Sequence, residues 1–368
     1  MSSLDELRLQ LDAIDDELLD AAARRLDVAR RIGELKAREG LGTYDRAREQ
    51  VVLDAARARS ERHGLPPELG QRLIGTLMDA GHGLQEAVQD SVQPVQLLIV
   101  GASGAMGRWL AQVLAERGVA VTGIDREQED DLARYVAHAD VVLVSVSMHA
   151  ATSVVQRVLP HMRPDALLCD VNSLKADICA LYADAACETL GLHPMFGPTT
   201  ASMRRQKVVV CPVKPGPRTE WLLGILSSMG AELVDADPAE HDRMMALVQV
   251  VTHFRTIATG MALARSGTAV GDSLRFTSPI YRLELSVIGR LFAQDPELYA
   301  SILFDNPDSE RIRRTLRSAT DELDDIVARR DRDRFIALFE QTADWFSDFA
   351  ETAQDQSDRI IEHLVREP

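Results

Sequence analysis

One histidine of the chain lies in a segment whose neighbours restrict the backbone. Residues 191–198 read Gly-Leu-His-Pro-Met-Phe-Gly-Pro, with His193 directly before Pro194. Proline fixes φ, removes an amide donor and pushes the preceding residue out of the helical region. The pattern therefore predicts neither a helix nor a central strand here, with His193 on an extended backbone. Such an imidazole suits proton transfer near neutral pH, and the alternative is a turn in which it only bonds a neighbouring carbonyl.

A second set of residues whose types could carry chemistry lies in the first 90 residues. Apolar side chains recur every three or four positions over residues 4–38, which predicts a helix of about 50 Å at 1.5 Å per residue. This helix is too long for a compact monomer, so we expect a partner to cover it. Arg25 and Lys36 are eleven positions apart and share one face of the helix, whereas Arg8 points about 100° away from Arg25.

Two further helices are expected, over residues 45–62 and from residue 65 to about 88. Asp45, Arg48 and Glu49 share a face of the second helix through spacings of three and four, and Gln85 falls on the third helix. Cations around a neutral amide and a carboxylate suit a small dianion that carries an ether and a hydroxyl. The alternative is a solvated surface held by salt bridges.

A glycine-rich turn predicts a nucleotide site. Residues 95–100 read as a buried strand, residues 101–107 as the turn Gly-Ala-Ser-Gly-Ala-Met-Gly, and the following residues as a helix and a second strand that ends at Asp125. This order is the fingerprint of dinucleotide binding. We expect Asp125 to accept a hydrogen bond from the ribose and to favour NAD over NADP, although Arg126 is the next residue. The alternative is a domain of this fold that binds no nucleotide. The predicted cofactor contacts are Gly101, Ser103, Gly104, Met106, Gly107, Asp125 and Ser145.

Composition narrows the functional classes. The 368 residues carry a net charge of -16, which argues against a nucleic-acid partner because phosphate binding needs a basic patch. The four cysteines show no CxxC spacing, so we expect no metal site and no disulfide framework. No apolar run approaches the ~20 residues that span a bilayer. We expect a cytoplasmic protein without a membrane anchor.

The patterns divide the chain into three domains. Residues 1–90 are expected to form an all-α domain of three helices, residues 94–237 an α/β Rossmann-like dinucleotide-binding domain, and residues 238–368 an α-helical C-terminal domain. Further strands of the sheet are expected near residues 141–146, 166–170, 189–192, 208–213 and 232–234. Loops at the carboxyl ends of such strands meet the nicotinamide.

The three N-terminal helices resemble the all-helical chorismate mutases. The motifs that carry the resemblance are Leu7-Arg8 with Ile14-Asp15, Arg25, Gly33 with Lys36, Asp45 with Arg48-Glu49, and Gln85. The resemblance implies an intertwined dimer in which Arg8 serves the opposite subunit's site. It implies catalytic roles for Lys36, Gln85 and Glu49, and substrate binding by Arg8, Arg25, Asp45 and Arg48. Gly81 departs from the family, which more usually carries a serine there.

Residues 95 to about 350 resemble the prephenate dehydrogenases. The motifs that carry this resemblance are residues 101–107, 170–175, 192–198, 240–242 and 278–296. With the mutase-like helices in front, the chain resembles the bifunctional chorismate mutase/prephenate dehydrogenases of tyrosine biosynthesis. The resemblance implies rearrangement of chorismate to prephenate, and then oxidative decarboxylation of prephenate to 4-hydroxyphenylpyruvate with NAD.

The same resemblance assigns roles in the dehydrogenase reaction. It implies that His193 takes the proton of the substrate's ring hydroxyl and that Arg290 binds a carboxylate. Ser173, Lys175 and His253 are the further substrate-binding residues. It also implies a homodimer formed through the helical C-terminal domain, and feedback by tyrosine.

Three alternatives stay open at this point. The chain can catalyse the same two reactions on 4-amino-4-deoxychorismate and its prephenate analogue. Gly81 and Ser147 leave this possible, and enteric relatives have proline at the position of Ser147. It can be an NAD dehydrogenase of a single activity with a structural helical domain, or a ligand sensor that binds NAD without turnover. The sequence leaves open the tyrosine site and the coupling of the two active sites.

Overall fold

The structure, a computed structural model, describes residues 4–39, 46–90 and 95–366. Its N-terminal part consists of the helices α1 (Leu4–Glu39), α2 (Arg46–Arg62) and α3 (Pro67–Asp90), and α3 packs against both others. At Gly81 a Cβ would lie only 3.1 Å from the Cβ of Ala29, so the glycine allows α3 to approach α1 closely. With its 36 residues, α1 extends for about 54 Å. Leu7, Leu11 and Leu18 of its apolar stripe are exposed in the single chain.

A seven-stranded sheet follows these helices. Its strands are β1 (Gln96–Val100), β2 (Ala120–Ile124), β3 (Val141–Val144), β4 (Leu167–Asp170), β5 (Glu188–Pro194), β6 (Lys207–Lys214) and β7 (Glu232–Asp235). The spatial order is β2-β1-β3-β4-β5-β6-β7, and every neighbouring pair is parallel except β5–β6. The near-continuous apolar strands are buried on both faces, as parallel strands covered by helices require.

Helices cover both faces of the sheet. They are α4 (Ala105–Ala115), α5 (Leu132–His138), α6 (Met148–Val158), α7 (Ala176–Tyr182) and α8 (Pro217–Ser228), with short 3₁₀ turns at Arg126–Asp131 and Leu159–His161. One apolar cluster combines α4 and α8 with one face of the sheet, and a second combines α5, α6 and α7 with the other. The predicted Rossmann-like domain is confirmed.

The segment around His193 differs from its prediction. The expectation of no central strand is wrong, because His193 and Pro194 are the last residues of β5, which lies between β4 and β6. The Met195 amide donates to the Lys207 carbonyl at 2.9 Å, so the alternation of an antiparallel ladder turns the Pro194 nitrogen toward the β4 side. Because β4 pairs with β5 only as far as Gly191, no amide donor is needed there.

The remainder of the chain is helical, as predicted. Its helices are α9 (Pro238–Met245), α10 (Thr252–Arg265), α11 (Val270–Leu274), α12 (Pro279–Phe292), α13 (Pro296–Asp305), α14 (Ser309–Ala328), α15 (Arg332–Phe346) and α16 (Phe349–Arg366), and a π-helical turn at Ala246–Val251 joins α9 to α10. The chain divides into two compact units, residues 1–238 and residues 239–368. Among the described residues, no helix is long and apolar enough to cross a membrane.

Candidate active sites

The N-terminal helices bring four charged or titratable side chains together. Arg25 of α1 is half-buried and donates from Nη1 to the Leu77 carbonyl on α3 at 2.7 Å, and burial lowers the pKa of its guanidinium. Oε1 of Glu49 on α2 lies 3.3 Å from Nε2 of His82 on α3. Because the charges of Arg25 and Lys36 both act on His82, the two cations lie near the same point.

His82 is the member of this group that the sequence reasoning missed. Burial, followed by the positive charges of Lys36 and Arg25, lowers the pKa of His82 from the usual 6.5 to about 4. The imidazole is therefore neutral at physiological pH. A signal was present in the sequence, since His82 lies three positions before Gln85 and so shares a face of the third helix with it.

The other predicted mutase residues occupy less enclosed positions or lie outside the described residues. Arg8 is exposed near the start of α1, with its Nη1 3.3 Å from Oδ1 of Asp5, and Arg48 is exposed on α2. Asp45 falls outside the described residues. Gln85 lies within α3, but its side chain also falls outside the described part.

The glycine turn has the close backbone approach that a dinucleotide site requires. Gly101 has φ +91°, and a Cβ there would lie 2.5 Å from the Ser145 carbonyl oxygen. A Cβ on Gly107 would lie 2.2 Å from the Gly101 carbonyl oxygen. Gly104 precedes α4 as its N-cap, and Met106 packs in the first turn of that helix. The turn therefore brings backbone amides to the N-terminus of α4, where a pyrophosphate binds in this fold.

Asp125 is bonded to this turn. Its two carboxylate oxygens accept from the Ser103 amide at 3.1 and 3.0 Å, and Oδ1 also accepts from the Ser103 hydroxyl at 2.8 Å. Arg108 donates to the Ser103 carbonyl, and Arg126 begins the 3₁₀ turn behind Asp125. An acidic side chain held beside the turn, together with the glycine positions, fits a dinucleotide with a free ribose hydroxyl.

His193 is buried at the carboxyl-terminal end of β5, with a relative exposure of 3%. Its strand partner on β6 is Val209. Three residues later, the ring of Phe196 packs edge-on against Trp109 of α4 at 5.3 Å, and the Trp109 indole donates to the Thr200 carbonyl at 2.9 Å. These contacts hold the segment after His193 against the helix that follows the glycine turn.

Lys175 is the predicted substrate residue whose position differs most from its expectation. Its side chain is fully buried and forms an ion pair with Asp170, which is also fully buried. Its ammonium also donates to the Leu192 carbonyl at 2.8 Å. Asp170 further accepts from the Tyr182 hydroxyl at 3.2 Å. Lys175 therefore lies inside the domain, beneath the strand that carries His193, rather than on an accessible wall.

Ser173 of the predicted site and Ser147 lie at loop positions in the same domain. Ser173 is partly buried in the loop between β4 and α7. Ser147 precedes α6, and its hydroxyl lies 3.4 Å from Nε2 of His149. Both loops follow the carboxyl ends of parallel strands, where ligands bind in open α/β sheets.

The second compact unit holds the remaining predicted residues. The ring of His253 on α10 packs edge-on against Tyr299 on α13 at 5.0 Å, and burial lowers the pKa of His253. Burial raises the pKa of Tyr299, whereas the charge of Arg290 on α12 lowers it. Tyr299 therefore lies near both His253 and Arg290, and no periodic pattern along the chain indicates it.

The Glu-His-Asp motif of this unit has a structural explanation. Nδ1 of His241 lies 2.7 Å from Oδ1 of Asp242, and both side chains are buried. The Asn306 amide donates to the Asp242 carbonyl at 2.9 Å. The bond from Asn306 therefore ties α9 to the end of α13. No group of three or more potential metal-binding side chains occurs among the described residues.

A dinucleotide-binding sheet with a buried histidine at the end of a central strand is the arrangement of a dehydrogenase domain, and here a three-helix domain that holds Arg25 and Lys36 precedes it. Three family matches cover the chain: chorismate mutase type II over residues 7–86, the prephenate dehydrogenase nucleotide-binding domain over 110–235, and its dimerisation domain over 237–341. The glycine turn lies ahead of the second match.

Curated relatives match over nearly the whole length. The T-protein of Haemophilus influenzae is 33% identical over 98% of this chain and 97% of its own. The T-protein of Enterobacter agglomerans is 34% identical over 95% of each chain. The chain belongs to this family of bifunctional chorismate mutase/prephenate dehydrogenases.

Solved structures agree on the fold. An Aquifex aeolicus prephenate dehydrogenase in complex with hydroxyphenyl propionate and NAD⁺ superposes with a TM-score of 0.55 at 16% identity, over 69% of this chain and 97% of that chain. Synechocystis arogenate dehydrogenase superposes with a TM-score of 0.52 at 21% identity, over 69% and 100%.

The predicted activities and fold are thus confirmed. The chain rearranges chorismate and oxidises prephenate in tyrosine biosynthesis. Its dehydrogenase part consists of a nucleotide-binding domain and a dimerisation domain. The single-activity dehydrogenase and the sensor without turnover are therefore set aside.

Proposed function

We propose that the mutase reaction uses the group formed by Arg25, Lys36, Glu49 and His82. A [3,3] rearrangement needs no acid or base, so these residues act by holding chorismate in its folded conformer and by stabilising charge on the breaking ether oxygen. Lys36 and Gln85 are suited to donate to that oxygen. Arg8, Arg25 and Arg48, with Asp45, bind the carboxylates and hydroxyl of the substrate.

In the dehydrogenase reaction, His193 is the general base. It accepts the proton of the ring hydroxyl while the hydride leaves the carbinol carbon, and loss of CO2 is driven by aromatisation to 4-hydroxyphenylpyruvate. NAD supplies the hydride acceptor. Arg290 binds a substrate carboxylate, and Ser173 and His253 are further substrate-binding residues. The observation that carries this proposal is the fixed, buried position of His193 at the end of β5.

The turn at residues 101–107 binds the pyrophosphate of NAD through its backbone amides and the N-terminus of α4. Ser103, Met106 and Ser145 line the same turn. Asp125 bonds a ribose hydroxyl and disfavours the 2′-phosphate of NADP, because two negative charges would meet there.

The working assembly is a homodimer in the cytoplasm. Its support is the match to a dimerisation domain and the exposed leucines of a ~54 Å helix, which a second copy of α1 would cover. Arg8 then serves the partner's mutase site. Tyrosine, the end product of the pathway, acts as a feedback inhibitor.

A second candidate substrate pair has a specific observation in its favour. A 4-amino-4-deoxychorismate mutase of Streptomyces venezuelae is 39% identical over 17% of this chain. A 4-amino-4-deoxyprephenate dehydrogenase of Streptomyces pristinaespiralis is 30% identical over 66% of it. In the second candidate, the chain catalyses the same two reactions with an amino group at ring position 4.

Turnover of both substrate pairs tests the proposal. We expect kcat/KM to favour chorismate and prephenate, because one imidazole accepts the single hydroxyl proton, whereas an ammonium must first lose another proton. The measurement follows chorismate loss and NADH formation with each pair under matched conditions. A higher kcat/KM for the amino pair in both reactions would replace the first candidate by the second.

A further inference from the structure

The carboxyl-terminal end of β5 loses its strand partner on one side before His193 is reached. β4 pairs with β5 up to the contact of Asp170 with Gly191, whereas β6 pairs with β5 to its last residue. In an antiparallel ladder, consecutive residues point their backbone groups alternately toward and away from the partner. The Met195 amide bonds to β6 at Lys207, so the Leu192 carbonyl faces the side that β4 has left.

The ammonium of Lys175 takes the place of the missing strand amide. Nζ donates to the Leu192 carbonyl at 2.8 Å, one residue before His193. Without that donor, a buried carbonyl oxygen would lose its hydrogen bond, which is costly inside a protein. Pro194, the next residue that faces this side, has no amide to satisfy. One lysine therefore supplies the donor that the Leu192 carbonyl lacks on this side.

The surroundings of Lys175 fix its position. Its side chain is fully buried and ion-paired with Asp170, whose carboxylate also accepts from the Asn172 amide at 3.0 Å and the Tyr182 hydroxyl at 3.2 Å. A Cβ on Gly191 would lie 3.0 Å from Cδ of Lys175. The glycine thus leaves room for the lysine stem to run along β5.

We infer that Lys175 is a positioning residue that holds the backbone of His193 in place for proton transfer, rather than a group that binds substrate. A buried ion pair is seldom a strong source of stability by itself. Here the pair presents a donor at the Leu192 carbonyl, which the end of β4 leaves without a strand amide. This inference rests on the proposed role of His193 as the general base.

The test compares three variants of the full-length enzyme. Lys175→Met removes the ammonium and keeps the length of the side chain. Asp170→Asn/Lys175→Met removes both charges, so no uncompensated charge stays buried and the domain is expected to fold. Tyr182→Phe is the matched control, because it removes a bond to Asp170 but leaves the contact of Lys175 with Leu192 intact.

We expect kcat for prephenate oxidation to fall about 10- to 100-fold in Lys175→Met and in the double variant, because misplacing a catalytic group by about 1 Å has effects of this size. Chorismate rearrangement and the Kd for NAD should stay within about threefold, as should all three values in Tyr182→Phe. The double variant should regain the melting temperature that Lys175→Met loses, without regaining kcat.

A solvent deuterium isotope effect separates positioning from a loss of folded enzyme. It should rise in the lysine variants, since proton transfer to a displaced imidazole becomes slower, whereas a smaller folded fraction leaves it unchanged. If the folded, NAD-binding double variant keeps near-normal kcat, or if kcat follows the melting temperature, the inference is overturned. His193→Asn is measured in parallel, because near-normal kcat there would overturn the base assignment instead.

Discussion

The mutase helices and the nucleotide-binding sheet hold their candidate residues in opposite ways. In the nucleotide-binding domain, His193 at the end of β5 has 3% exposure, and the Lys175 side chain, before α7, has 0%. In the helical domain, the Arg8 side chain is 67% exposed and projects from a helix whose leucines are also exposed. The sheet fixes its residues within one chain, whereas α1 leaves Arg8 and several leucines exposed in the single chain.

This contrast follows from the two kinds of secondary structure. A parallel sheet places the ends of several strands at one edge and buries them on both faces, so a side chain there is fixed by its neighbours. A single long helix displays side chains along its length and needs a partner to enclose them. Mutations should therefore act locally in the sheet, and through the assembly in the helices.

The largest expected effect is that of His193→Asn. Asparagine keeps a hydrogen-bonding group of similar reach but cannot accept the proton, so kcat for prephenate oxidation should fall about 10²- to 10⁴-fold. Mutase activity and NAD binding should be unchanged, and the loss of activity at acid pH that imidazole protonation causes should disappear. Steady-state rates across pH provide the measurement. Near-normal kcat with the same acid limb would move the base to another histidine.

Arg25→Ala should have the second-largest effect, in the other domain. Losing a charge-assisted partner of a substrate carboxylate should lower chorismate mutase activity by about 10²-fold. Oxidation of supplied prephenate should stay within a few-fold, because the two sets of residues lie in different domains. Assays of both reactions on one preparation check this, and an equal loss of both would contradict two separate sites.

A smaller effect is expected at the cofactor turn. Wild-type enzyme should prefer NAD over NADP by about tenfold or more in kcat/KM, because a 2′-phosphate beside Asp125 meets a like charge. Asp125→Ser should narrow that ratio, although it also removes the bonds to Ser103. The NAD Kd of the variant controls for damage to the turn. An unchanged ratio would assign the discrimination elsewhere, such as to Arg126.

A mixture of two inactive chains tests the assembly itself. If Arg8 serves the partner's site, a dimer of one Arg8→Ala chain and one Arg25→Ala chain has one site with both changes and one intact site. Random exchange of equal amounts should then restore about a quarter of wild-type mutase activity, since half of the dimers are mixed and each has one working site. Subunit exchange is verified first with differently tagged chains. No recovery after that exchange would contradict the shared site.

The sequence predicted those parts of the molecule that depend on local pattern. The three N-terminal helices, the glycine turn and the nearby Asp125 all follow from periodicity or spacing along one short segment. It did not predict that His193 ends a central strand, because the proline rule is local, whereas the tolerance of Pro194 depends on where β4 stops. The position of Lys175 depends on its bond to the Leu192 carbonyl of β5, so no spacing within residues 170–175 could indicate it.

His82 offers the last test of this contrast, and the effect expected is on stability. Its pKa is lowered from 6.5 to about 4 in the folded chain, so between these values the unfolded chain binds a proton that the folded helices exclude. Stability is then lost as pH falls from about 6.5 toward 4, by about 2 kcal/mol at about pH 5. His82→Gln cannot titrate and should remove most of that loss, while His63→Gln, at an exposed position, should not. The measurement is urea unfolding at about pH 7 and at about pH 5. Mutase activity, relative to the same variant without urea, reports the folded fraction. An equal acid loss in His82→Gln would mean that groups other than His82 destabilise the helices in acid.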